Sequence, residues 1–350
     1  MSKIILFTGG GIGVPVGLPT TTDFVSTITK IRDNNPILKY VFEYLGKSSN
    51  DIEKLLFTLE ELNREDNSTF KIIKNVVTEG NLPETVKIME NISSFNSQVK
   101  NAIDSIKKEI FNKLNNFNRI KAFSLYYNLF KEITTAVPGY KLSFSTTNYD
   151  LTFDDAFQSD TAKWDDIGIK KINDFFVEDR GRFILKTGFR KDNDDDMTFV
   201  KIHGSLNWHY DSGKNITKSG GVTTPDDPNT MPLIYPGFKG FIEDEPFKAF
   251  HDHLAADLDK AYAAIFIGFA FRDQYINFML ENALRRRQAK KNALFVQCFN
   301  PARIDEYPSN SRLPYFAKEF KDMFFLYNES FEVKENPLSI IGKALHQKLR

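Results

Sequence analysis

The chain has 350 residues, more than one average domain and not clearly two. It is 41% hydrophobic, enough for a large core, and its 46 basic and 46 acidic residues give a formal net charge of +0. That balance excludes a global pull toward nucleic acid or an anionic membrane, so neither direct nucleic-acid binding nor membrane association is expected.

The single cysteine, Cys298, excludes an intrachain disulfide and a cysteine-based zinc site. It fits a reducing, cytoplasmic setting. The opening MSKIILFTGGG has too short an apolar run for a signal peptide, and no stretch approaches 18 consecutive apolar residues.

Ile4 to Phe7 form a continuous apolar run that ends in glycines, the pattern of a buried parallel strand. The loop FTGGGIGVPVGLP follows, from Phe7 to Pro19. Glycines such as Gly9, Gly10 and Gly11 let backbone N–H groups approach a diphosphate closely, but a tight turn without a ligand explains them equally well. The dinucleotide fingerprint fails because Val14 occupies the third glycine position, and no Gly-Lys-Ser/Thr of a P-loop is present.

From Thr21 to about Val137 the pattern is mostly helical, as in DIEKLLFTLEELN and NAIDSIKKEIFNKL. Asp51 suits the N-cap of the first of these. This region is charged and holds no catalytic constellation, so assembly or lid functions are expected of it.

YKLSFSTTNYD reads as a strand that runs into a polar turn. Its end offers Thr147, the amide of Asn148 and the carboxylate of Asp150 at a strand's carboxyl end, where open α/β sheets bind ligands. An Asx turn accounts for the same residues. RFILKTGF and MTFVKIHG, joined by the acidic stretch Lys191 to Asp196, read as a hairpin. Asp192, Asp194 and Asp196 are spaced like a calcium loop, but Met197 and His203 stand where the turn glycine and the bidentate Glu belong, so a solvated tip is expected.

In KIHGSLNWH, His203 can serve as a base near neutrality or as a backbone-bonded structural histidine, and Trp208 reads as core. Asp211 to Pro232 is rich in Gly, Thr, Pro and Asp and is the best candidate for a mobile loop. His251 and His253 flank Asp252, but alternate residues of a helix do not face each other, so no metal site is expected there. AAIFIGFAF and NALFVQCFN are buried-strand runs, with Gly268 and Asn300 at their carboxyl ends. The helix between them ends in Arg285 to Arg287, read as a solvated turn that complements the helix dipole.

The expected fold is α/β, a Rossmann-like parallel sheet with a large helical insertion and no zinc ribbon. The chain reads as one unit, 1–350, with the insertion at 30–137, the rest of the core at 140–300 and a C-terminal strand and helix extension at 301–350.

In this order the motifs resemble the sirtuin-like superfamily. TGGGIGVPVGLP is similar to the family's T-G-A-G-x-S-x-x-x-G-I-P loop, which maps onto Gly9, Gly11, Gly17 and Pro19. TTNYD is similar to T-Q-N-x-D, giving Asn148 and Asp150. IHG matches the catalytic His-Gly, giving His203. IGFAF resembles the late G-T-S-x strand with Gly268, and CFN the strand whose Asn300 meets the adenosine ribose. The resemblance does not cover the helical region 30–137. The chain also departs from deacylase sirtuins: it lacks their four zinc-binding cysteines, it has Gly13 in place of their loop Ser, and Thr20-Thr21-Thr22 follow Pro19 where Asp-Phe-Arg is usual.

TTNYD, HGSLNWH and IGFAFRDQYIN together look more like the bacterial sirtuin-like NADases of antiphage defence. That resemblance implies NAD as substrate without a metal, and cleavage to nicotinamide and ADP-ribose with Asn148 and His203 catalytic. Gly9, Gly10, Gly11, Gly17, Thr147, Asp150, Gly268 and Asn300 would surround NAD. It further implies a homo-oligomer and a separately encoded partner, a translocase-type ATPase or an argonaute-like protein. Two other readings stand beside it: an NAD-dependent protein deacylase, and a non-catalytic regulatory subunit that binds NAD or ADP-ribose.

Overall fold

Lys3–Thr8 (β1) is buried at all but its first residue because both faces of the strand are covered. The computed structural model describes residues 3–19, 21–33, 35–46, 52–63, 83–179, 182–186, 196–219, 230–233, 245–290, 294–299 and 310–327. In it, β1 pairs in parallel with Lys141–Thr146 (β2) on one side and Ala261–Ile267 (β9) on the other. Beyond β2 lie Met197–Lys201 (β6) and Ile172–Asn173 (β3). Beyond β9 lie Phe295–Phe299 (β10) and Phe324–Tyr327 (β11). All seven strands are parallel, as the apolar runs predict. The strand order reverses at β1, so the crevice of an open α/β sheet opens at the carboxyl ends of β1 and β9.

A second, antiparallel sheet of four strands has the order Phe176–Asp179 (β4), Arg182–Leu185 (β5), Ile216–Lys218 (β8) and Trp208–Tyr210 (β7). The expected hairpin does not form. β5 pairs with β4 and β8, while β6 joins the parallel sheet. The apolar residues of β6 are buried on both faces, which only the central sheet provides. The loop expected from Asp211 to Pro232 likewise contains β8.

The helices are Thr21–Asp33 (α1), Pro36–Leu45 (α2), Ile52–Asn63 (α3), Pro83–Leu114 (α4), Arg119–Ala136 (α5), Thr152–Ser159 (α6), Thr161–Asp166 (α7), Phe247–Lys260 (α8), Gln274–Ala289 (α9) and Leu313–Glu319 (α10). The chain divides into two compact units, Met1–Leu18 with Leu114–Arg350, and Pro19–Lys113. The second unit is helical. Leu38, Leu55, Leu59, Val99 and Ile106 fill its core, and Lys107 meets Glu60 at 2.9 Å.

In the first unit the two faces of the parallel sheet carry different cores. Ile5, Phe7, Phe266, Val296 and Cys298 pack with residues of α8, α9 and α10. On the face opposite Phe7, register sets Leu6 beside Phe144 and Phe144 beside Phe199. There Phe153 stands 4.7 Å from Phe144 and 4.6 Å from Phe199, ring to ring, with Trp164 and Phe130 closing the cluster. Trp208 is core, packed on Phe176 and Phe250.

Arg287 departs from the expected solvated helix end. It is buried, and its guanidinium donates to the carbonyls of Asp259 and Ala261 at 2.8 Å each, so it ties α9 to the start of β9. Asp51, Asp192, Asp194, Asn300 and most of 301–350 lie outside the described residues.

A buried charge network joins the two sheets. Asp154 of α6 faces Lys201 of β6 at 2.8 Å and Lys218 of β8 at 3.3 Å, and Lys218 also reaches Asp174 at 3.0 Å. Burial pushes the Asp154 carboxyl up, but Lys201 and Lys218 together pull it below the ordinary carboxylate range. Removing one partner strands buried charge, so Asp154→Ala is expected to cost about 3–5 kcal/mol. Denaturant titration checks this, and a midpoint equal to that of the parent would contradict it.

Candidate functional site

The glycine loop leaves β1 as a 3-10 helix, Gly10–Val16. Gly9 donates its N–H to the carbonyl of Ile267 and Gly11 to that of Gly268, both at 3.0 Å. A Cβ on Gly11 would stand 2.7 Å from the Gly268 Cα, and one on Gly9 would stand 2.8 Å from the Gly268 oxygen. Gly268 has φ +62°, and a Cβ there would come within 2.5 Å of the Ile12 nitrogen. The amides of Gly9 and Gly11 are thus engaged by protein carbonyls, and a side chain at Gly11 reports on packing before it reports on any ligand. Gly10 and Gly17 differ, since nothing lies within 4 Å of a Cβ at either.

Asn148 and Thr147 bind this loop to the end of β2. The Asn148 side-chain amide donates to the Gly9 carbonyl at 3.2 Å, and Thr147 N–H donates to the Thr8 carbonyl at 3.2 Å. The hydroxyls of Thr8 and Thr146 are 2.9 Å apart beneath them. Asp150 is buried, and its Oδ1 accepts from the Thr152 N–H at 3.0 Å and from the Thr152 hydroxyl. One carboxylate oxygen therefore closes an Asx turn at the start of α6.

His203 follows β6 by two residues and is 1% exposed. Gly204 behind it has φ +94°, and a Cβ there would stand 2.0 Å from the Pro232 oxygen, so the turn that aims His203 admits only glycine. The Tyr149 ring is 6.4 Å from His203, and Leu206 N–H donates to the Tyr149 carbonyl at 3.0 Å. The motifs of β2 and β6 are thereby brought together. Among the described residues, neither His203 nitrogen has a hydrogen-bond partner.

Two residues next to His203 escaped the sequence reading. His251 of α8 lies ring to ring with His203 at 6.2 Å and packs on Tyr275 at 4.8 Å. Its Nδ1 is 2.7 Å from the Phe247 carbonyl, one helical turn back. His253 points elsewhere, to Asp257 at 3.3 Å. Asp273 has one oxygen 3.1 Å from His203 Nε2, within ion-pair distance but out of line for a hydrogen bond. The Asp before a helix was a visible capping signal, whereas nothing in the sequence links position 251 to 203. Among the described residues, no cluster of three or more His, Cys, Asp or Glu is placed to hold a metal ion.

Two tests follow from this geometry. Gly10→Ala is expected to melt like the parent, while Gly11→Ala and Gly268→Ala lose at least about 1–3 kcal/mol. Equal stability of all three would show that the contact with Gly268 is not tight. The second test concerns His251. Burial, reinforced by His203, holds it down to about 4 from 6.5. Above pH 6.5 both folded and unfolded forms are neutral and nothing is lost. Between 6.5 and 4 the unfolded chain takes a proton that the folded chain refuses, so stability falls with pH, by about 3 kcal/mol in full. His251→Gln should flatten that slope in chemical denaturation, and an unchanged slope would refute the assignment.

A search of curated proteins finds no match. Among solved structures, a triple mutant of a Sir2 homologue in complex with 2'-O-acetyl ADP ribose is similar at 11% identity and TM-score 0.45, over 99% of this chain and 92% of that chain. A Sir2 homologue in complex with NAD is similar at 13% identity and TM-score 0.44, over 99% of this chain and 91% of that one. The model of the SIR2-like domain family matches residues 142–320, from β2 through α10, the segment that carries Asn148, His203, Gly268 and Asp273. By that match, the chain belongs to the SIR2-like domain family.

Proposed function

We propose that the chain is an NAD+ glycohydrolase that converts NAD and water to nicotinamide and ADP-ribose. The observation that supports this most is the state of His203. It is a buried imidazole, neither nitrogen has a hydrogen-bond partner among the described residues, and it stands just past β6 with its ring 6.4 Å from that of Tyr149, the residue after Asn148. Burying polar atoms without partners costs free energy, and a catalytic role is one reason such atoms persist. The carboxyl ends of these strands are where an open α/β sheet takes a nucleotide.

The scissile bond joins the ribose C1' to a pyridinium nitrogen. When it breaks, the electron pair goes to that nitrogen and neutralises it, so no general acid is needed, unlike ordinary glycoside hydrolysis. A water oxygen bonds to C1' and gives its proton to His203, which later releases it to solvent. Asn148 orients ribose hydroxyls or the water. Gly10 and Gly17 have the open space for the diphosphate, Gly268, Thr147 and the Asp150 carboxylate would surround the nucleotide, and the resemblance assigns the adenosine ribose to Asn300, outside the described residues.

The wider reading is an NAD-depleting effector of an antiphage system, cytoplasmic and oligomeric, with a separately encoded translocase-type ATPase or argonaute-like partner. The helical stretch 30–137 then serves assembly or a lid. The motifs TTNYD, HGSLNWH and IGFAFRDQYIN support this choice over a deacylase.

The test is NAD turnover by purified protein, with and without its partner, alongside thermal melts. Asn148→Ala and His203→Ala should each fold and lose about 10²–10⁴ in rate. The double mutant should be little worse than the worse single, since groups acting as a unit are not additive. Turnover that requires an acetylated peptide would indicate a deacylase. Binding of NAD without turnover in any condition would indicate a binding module. A folded His203→Ala protein with the parent rate would place the site elsewhere.

A further inference from the structure

Asp273 divides its two oxygens between different tasks. Oδ1 caps α9, accepting the N–H groups of Tyr275 at 2.8 Å and Ile276 at 3.0 Å. Asn or Ser would cap as well, so the cap does not require a carboxylate. Oδ2 is the oxygen 3.1 Å from His203 Nε2. Asp273 is buried, which raises its carboxyl, but His203 and the helix amides outweigh burial and keep it below the ordinary carboxylate range.

Among the described residues, the other groups packed against His203 supply no rival charge. On the α8 side stands His251, held neutral at physiological pH. Tyr149 covers the β2 side with an aromatic ring. Asp273 is the one carboxylate that the described residues bring within ion-pair distance of His203.

We propose that Asp273 is a positioning residue for His203. Its carboxylate faces Nε2, selects the tautomer with the proton on Nε2, leaves Nδ1 as the basic nitrogen, and stabilises the imidazolium once Nδ1 has taken the proton from water. This rests on the reading of His203 as the base. The two groups stand at ion-pair distance and out of line for a hydrogen bond. Asp273 also hangs on the segment that begins at Gly268, so the glycine contact at β1 and β9 sets the position of the carboxylate.

Asp273→Asn separates the two tasks, because an Asn side chain still caps the helix while its Oδ2 position becomes an amide. Asp273→Asn is expected to melt like the parent and keep its KM for NAD within about threefold, while kcat falls about 10²–10⁴-fold. A purely structural role would lower the melting temperature instead, and a ligand contact would raise KM. A second measurement is independent of turnover. In ¹⁵N-histidine spectra, the His203 signal, identified by its loss in His203→Gln, should report an Nε2–H tautomer in the parent and a different tautomer balance in Asp273→Asn. If the parent never consumes NAD, the glycohydrolase reading fails, and these spectra still decide the pair. An unchanged His203 signal, or a folded Asp273→Asn enzyme with the parent kcat, would overturn the proposal.

Discussion

Two backbone segments meet at the carboxyl ends of β1 and β9 with no room for a Cβ between them. Gly9 and Gly11 lie on one side and Gly268 on the other, joined by N–H to carbonyl hydrogen bonds of 3.0 Å. Much else is referred to this contact. It turns the chain into the 3-10 helix after β1, and it directs the segment after β9 toward α9, whose first turn Asp273 caps. It also presents the Gly9 carbonyl to Asn148, so the ends of β1, β2 and β9 form one assembly. Protein interiors are packed closely enough that a single added methyl at such a place moves backbone and not merely side chains.

Two buried polar networks sit on this frame and differ in kind. Around Asp154, Lys201 and Lys218, opposite charges offset one another, and Lys201 also donates to the Asp150 carbonyl and the Ser205 hydroxyl. That network's ion pairs staple the two sheets and helix α6 together. Around His203, by contrast, the nearest carboxylate lies out of line, His251 is neutral with its Nε2 unpaired, and both His203 nitrogens lack partners. A low-dielectric site with unmet polar atoms is costly in the absence of a ligand and effective in its presence. The contrast separates charges that offset one another from polar atoms that have no partner among the described residues.

The separation reaches down to single residues of one motif. Within TTNYD, Thr147 and Asn148 latch β2 to the glycine loop while Asp150 closes a turn. Within KIHGS, Lys201 and Ser205 belong to the staple, while His203 is buried beside His251 and Asp273. Strand alternation does not separate them, since Lys201, His203 and Ser205 share one parity; the turn that follows β6 sends them to different partners.

Local chemistry in the sequence determined the parallel core. The apolar runs IILF, AIFI and FVQCF read as strands covered on both faces, and the glycines after the first two mark where backbone must turn or touch backbone. It also singled out Asn148, Gly268 and His203, each at a strand's carboxyl end. It could not say which strands pair. RFILKTGF and MTFVKIHG looked like neighbours because they are adjacent in the chain, yet they joined different sheets once burial on both faces claimed β6. Nor could it show that Arg287 folds back onto α8 and β9, or that His251 and Asp273, 48 and 70 positions beyond His203, share its surroundings. Periodicity and capping act over a few residues and leave their trace in the local sequence. Contacts between the ends of distant elements depend on how whole helices and strands pack, and only the tertiary structure decides them.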